Sequence, residues 1–165
     1  MKSHRRAALA AAAIATCLVS TGASAASCFT QADVSAAKVR ELQTRLMVAT
    51  LRCRATGVNI LASYNNFVGS AKPAIVAANE QLKAHFAAGG PVAGQRDYDR
   101  YTTVLANAYG AADTGPESCA EAANLAAEAT AAKGDLAAFA AHAIPVATLP
   151  GSVCSTNDGV VLAAK

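Results

Sequence analysis

The chain has 165 residues, of which 53% are hydrophobic and 15% charged, with five cysteines, no tryptophan and a formal charge of +3. Lys2, Arg5 and Arg6 supply that excess; without them, 11 of the 14 basic residues remain, against 11 acidic ones. A near-neutral body excludes sequence-independent nucleic-acid binding, which rests on a basic surface, and the length suits one domain with its own core.

The N-terminus has the three parts of a secretory signal. Lys2, Arg5 and Arg6 form the positive region, Ala7 to Val19 is nearly all apolar, and Ala23-Ser24-Ala25 is an A-x-A cleavage site. The apolar part is shorter than the roughly 20 residues that a membrane-spanning helix requires. Residues 1–25 are therefore expected to be removed, leaving 26–154 as a single helical domain and 155–165 as a flexible tail. A lipoprotein signal at Ser27-Cys28 fits less well. Ala25 stands where such signals usually carry Leu, and lipidation of Cys28 would leave three thiols. The expected location is the periplasm or the medium, and no later stretch is apolar for long enough to cross a membrane.

Alanine dominates the remainder, and alanine is the best helix former because it loses no side-chain entropy. Thr30-Gln31-Ala32-Asp33 reads as a capping box with Asp in place of Glu. Val39, Leu42, Leu46, Ala49 and Cys53 then recur at helical spacing, and Lys38, Arg40, Glu41, Arg45 and Arg52 fall mostly off that stripe. Gly57 is a natural stop. A second helix is expected from Val58 or Asn59, with Ile60, Tyr64, Phe67, Ala71, Ile75, Ala78, Leu82 and Phe86 in phase through Gly69 and Pro73. That continuity favours one helix kinked at Pro73 over two separate ones.

Gly89-Gly90-Pro91 ends the second helix, and 91–95 reads as a turn. Tyr98, Tyr101, Leu105, Ala108 and Tyr109 mark a third helix. Gly115-Pro116 opens a fourth, with Ala120, Ala123, Ala127 and Ala131 as its small-residue face. Leu136, Phe139, Ala140 and Ala143 mark a short fifth helix, ended by Pro145. Short connections between these elements predict an all-α, antiparallel up-down bundle of four to five helices.

Helix length constrains the cysteines. Four remain after cleavage, so an exported chain should form two disulfides. Cys28 and Cys53 flank a helix about 36 Å long at 1.5 Å per residue, far beyond the roughly 7 Å between Cα atoms that a disulfide spans. Cys53 and Cys119 fall at the same end of the bundle, and the tail can return Cys154 to Cys28. The expected pairs are Cys53–Cys119 and Cys28–Cys154.

Catalytic and cofactor motifs are scarce. His85 and His142 each sit on a helix without a neighbouring ligand in sequence, and no Cys-x-x-Cys, His-x-x-x-His or Gly-x-Ser-x-Gly occurs, so no metal, cofactor or catalytic residue is assigned. Arg40, Gln43 and Arg45, with Arg52 and Arg54, form the most polar group; it reads as a solvated face with Glu41 as local partner. Tyr64, Phe67, Tyr101 and Leu105 could line a groove between the second and third helices, although tyrosines at this spacing also serve as core residues.

Val39-Arg40-Glu41-Leu42-Gln43-Thr44-Arg45-Leu46-Met47-Val48-Ala49, followed by Leu51-Arg52-Cys53, resembles a recurrent segment of small exported helical proteins of proteobacteria that have no assigned activity. Asn66-Phe67-Val68 and Leu105-Ala106-Asn107-Ala108-Tyr109-Gly110 extend the resemblance from Cys28 to Cys154. It implies a periplasmic, disulfide-bonded helical protein and transfers no functional residue.

The leading expectation is a non-enzymatic bundle acting by protein binding or structural association, with an envelope protein or a second copy as partner, the latter through the alanine face of the fourth helix. One alternative is a small-molecule carrier using Tyr64, Phe67, Tyr101 and Leu105. Another is an enzyme acting on an anionic substrate through Arg40 and Arg45.

Overall fold

The computed structural model describes residues 28–155 apart from positions 113 and 133. The expected secretory signal at residues 1–25 and the expected flexible tail beyond Ser155 lie outside the described residues. Among the described residues the architecture is an all-α up-down bundle of five helices: α1 (Gln31–Ala55), α2 (Leu61–Ala87), α3 (Pro91–Gly110), α4 (Pro116–Ala131) and α5 (Leu136–Ala143). Both expected disulfides are present, with Cα–Cα distances of 4.9 Å for Cys28–Cys154 and 5.7 Å for Cys53–Cys119.

The capping box at the start of α1 is formed. Thr30 Oγ1 accepts from the Asp33 amide at 3.2 Å, and the Thr30 amide donates to Asp33 Oδ2 at 2.9 Å. At the other end the Gly57 amide donates to the Arg54 carbonyl and the Val58 amide to the Cys53 carbonyl. This pattern needs a left-handed residue after the helix, and Gly57 supplies it with φ of +86°.

Helix α1 touches all four other helices. Its Val39, Leu42 and Leu46 meet Phe67, Leu82, Tyr101, Leu105 and Leu136 in one core, while Cys53, Ile60, Cys119 and Ala122 form a second cluster around the inner disulfide. Each fully buried large side chain stabilises the fold by about 1.5–3 kcal/mol relative to exposure. The central position of α1 also buries polar residues off the apolar stripe, including Asp33, Glu41, Thr44 and Thr50. Glu41 is thus not part of a solvated charged face.

The second helix is continuous through Pro73 and starts at Leu61, where Asn59 Oδ1 accepts from the Leu61 amide. Residues 91–95 are helical rather than a turn. Pro91 occupies the first turn, where its missing N–H costs nothing. Gly90, with φ of +102°, makes the corner between α2 and α3. Gly94 lets the two helices meet there: a Cβ at that position would lie 2.4 Å from the Phe86 carbonyl oxygen.

The inward face of α4 is also shifted from expectation. Cys119, Ala122, Ala126 and Ala129 are buried, whereas Ala120, Ala127 and Ala131 are exposed. The bridge to Cys53 turns Cys119 inward and sets the phase of the helix, which an alanine pattern alone does not define. After α5 the chain runs back along α1. Phe29 and Val153 form a parallel bridge, with the Phe29 amide donating to the Ser152 carbonyl at 2.8 Å and the Cys154 amide to the Phe29 carbonyl at 2.9 Å.

Candidate functional site

The returning tail forms one wall of a cleft of about 500 Å³. The end of α2 contributes His85 and Phe86, α3 contributes Asp97, Arg100, Tyr101 and Val104, and Phe29 with Thr148 to Gly151 complete it. The aromatic walls are tightly arranged. Phe29 stacks on His85 with ring centroids 3.9 Å apart, and Phe86 meets His85 edge-on at 5.4 Å and Tyr101 at 5.7 Å.

The antiparallel packing of α1 and α2 brings the start of one beside the end of the other, and this creates the polar anchor of the cleft. His85 Nδ1 lies 3.1 Å from Asp33 Oδ2, and both side chains are more than nine-tenths buried. Gln81 Nε2 donates to Asp33 Oδ1 at 2.8 Å. Burial opposes ionisation of Asp33, but the bonds from Gln81 and Thr30, with the charge of His85, outweigh it and hold the carboxyl below its ordinary value. An ionised carboxylate only accepts, so Nδ1 of His85 carries the proton in this pair, leaving Nε2 as the other ring nitrogen.

The tail wall is held from below. Glu41 accepts from the Thr148 amide at 2.8 Å, the Thr148 hydroxyl at 2.8 Å and the Tyr109 hydroxyl at 2.9 Å. Lys38 Nζ donates to the Pro145 carbonyl at 3.0 Å. Burial, then the bond to Glu41 and its charge, push the Tyr109 hydroxyl up to about 12. Burial raises the Tyr101 hydroxyl as well, helped by Glu41 and opposed by Arg40.

Of the four residues expected to line a groove, only Tyr101 faces the cleft. Phe67 and Leu105 are fully buried in the main core, and Tyr64 packs half-buried against Phe67. Arg40 donates to Gln43 at 2.8 Å, and Arg45 lines a separate, smaller pocket with Arg52. The two arginines thus do not converge on one site. His142 is exposed on α5, and His85 does have an acidic neighbour, 52 residues away in sequence.

Sequence reasoning missed Phe29, Asp33, His85, Arg100 and the 148–151 wall as site residues. Topology held a usable signal for part of this. The expected Cys28–Cys154 bridge and the antiparallel order of the first two helices together place Asp33 at the same end as His85. Among the described residues, no group of three or more His, Cys, Asp or Glu side chains gathers where a metal could bind, and no helix is long and apolar enough to cross a membrane. Comparison of the chain with protein-family models, with curated proteins and with solved structures finds no match.

Proposed function

We propose that this chain is an exported helical protein that binds a small amphipathic molecule, its apolar or aromatic body in the cleft, its anionic end at Arg100 and a hydrogen-bond donor group at His85. The observation that carries this reading is the cleft itself. Its volume lies in the range of small-molecule sites, and aromatic walls with a few convergent polar groups are how such sites give both affinity and orientation. The Asp33 carboxylate holds His85 in the tautomer with the proton on Nδ1, which leaves Nε2 as a hydrogen-bond acceptor for a donor group of the ligand. Export is supported by the A-x-A signal pattern and by the two disulfides, which persist in oxidising compartments.

Thr148 lines the cleft, and its hydroxyl donates to Glu41 as part of the wall's anchoring. Association through α4 has less support, because its more apolar face is already spent on the core and on Cys53.

The test is a titration with 1-anilinonaphthalene-8-sulfonate, an aromatic anion of suitable size whose fluorescence rises in apolar sites. Saturable binding of one dye per folded chain is expected. Arg100→Gln should weaken it about tenfold, the loss of one charge-assisted contact, and Leu149→Asp should abolish it. Val76→Asp, on an exposed valine of α2 outside the cleft, should leave it unchanged. Absence of saturable binding, or equal binding by the Leu149→Asp chain, would overturn the reading.

A further inference from the structure

A second concavity lies at the opposite end of the bundle, where the last turns of α1 meet the end of α3 and the start of α4. Its volume is about 130 Å³. Arg45 and Arg52 both line it. They are seven residues apart on α1, two turns along the same side, so one helix lines one small space with two arginines. Arg52 Nη1 donates to the Tyr109 carbonyl at 3.0 Å, which leaves its remaining donors unspent. Neither arginine belongs to any of the ion pairs among the described residues.

Two further observations point to an oxyanion as the ligand. Thr114 Oγ1 is buried in the wall of this pocket and has no hydrogen-bond partner among the described residues. A buried hydroxyl without a partner carries a desolvation cost that a ligand oxygen removes. The neighbouring Ser118 hydroxyl, by contrast, is fully used in capping α4, accepting from the Gly115 amide and donating to its carbonyl. The pocket also adjoins the first turn of α4, whose dipole favours negative charge. Among the described residues of the wall, Glu121 is the one carboxylate, set against two guanidiniums.

We propose that this pocket binds a small tetrahedral oxyanion, of the phosphate or sulfate class, between Arg45 and Arg52 with the Thr114 hydroxyl donating. The forked donors of arginine match two oxygens of such an anion at once. The space accommodates a free tetrahedral anion. The site is independent of the amphipathic cleft, and its ligand is read from different residues.

The experiment uses the oxidised chain with both disulfides formed, titrated with inorganic phosphate and with sodium sulfate at constant ionic strength held with chloride. Thermal midpoint and amide NMR shifts are the two readouts. The expected result is a saturable rise in midpoint with both oxyanions and none with chloride alone. Shifts should concentrate at residues 114–118 and along Arg45 to Arg52. Arg45→Gln should weaken phosphate at least about tenfold and Thr114→Val by about three- to tenfold, while Glu121→Gln should tighten it. Arg52→Gln also loses the bond to Tyr109; if that chain fails to fold, the Arg45 and Thr114 variants decide. Equal stabilisation by chloride and phosphate, unchanged binding by Arg45→Gln, or shifts confined to the other end of the bundle would each overturn the proposal.

Discussion

Asp33 closes the cap of α1 through Thr30, accepts from Gln81, and pairs with His85 at the cleft, all with one carboxylate. Its replacement by Asn keeps the shape and removes the charge. Asp33→Asn should cost about 1.5–3 kcal/mol at neutral pH, the range for hydrogen bonds to a charged group. The pH dependence has a definite sign. The unfolded carboxyl protonates near its ordinary 3.8 and the folded one lower, so between those values the unfolded chain holds the extra proton. The Asp33 contribution is full above about pH 5 and is lost as pH falls through the folded value. Urea denaturation of the wild-type and Asp33→Asn proteins from pH 6 to pH 2 should show the stability gap narrowing on acidification. A constant gap would remove Asp33 from the acid response. This residue was legible in the sequence only as a helix cap, because its other two partners come from α2, 48 and 52 residues away.

At the scale of elements, hydrophobic spacing located the helices well where one face is apolar and the other polar. Val39, Leu42 and Leu46 on α1 and Ile75, Ala78 and Leu82 on α2 are buried as their spacing predicts. It misplaced the inward face of α4 because a run of alanines has no polar side to exclude. Residues 91–95 look like a turn for a related reason: Gly94 is a poor helix former, and its value lies in contact rather than propensity. Gly94→Ala should improve local helix propensity and still destabilise the protein by about 1–3 kcal/mol, the usual cost of overpacking. The obstructing atoms are backbone of α2, which cannot rotate away. Chemical denaturation checks this, and a Gly94→Ala chain as stable as wild type would mean that the α2–α3 corner opens without cost. The cleft was hidden because its wall at 148–151 has no periodic signal; bonds to Glu41 and Phe29 position it.

For the whole molecule, the disulfide pairing followed from helix lengths because a long rigid rod leaves few cysteines able to meet. The bridges close loops with sequence separations of 126 and 66 residues. Chain-entropy reasoning gives each about 4–5 kcal/mol, before any strain. Replacing Cys28 and Cys154 together by Ala should lower the thermal midpoint and also weaken anilinonaphthalene sulfonate binding, since the same bridge anchors the strand behind the 148–151 wall. Replacing Cys53 and Cys119 should lower the midpoint with a smaller effect on the dye. Calorimetry and fluorescence titration on the two double variants separate the effects; dye affinity untouched by loss of the outer bridge would mean that Glu41 and Lys38 suffice to hold the wall.

The two bridges are nested, Cys53–Cys119 inside Cys28–Cys154. A protease that cuts once anywhere between Cys28 and Cys154 therefore releases no fragment. A cut at the exposed Gly89 corner falls within both loops and leaves the halves joined twice over. A single nick is thus a break in the chain without loss of a piece, visible by electrophoresis only after reduction.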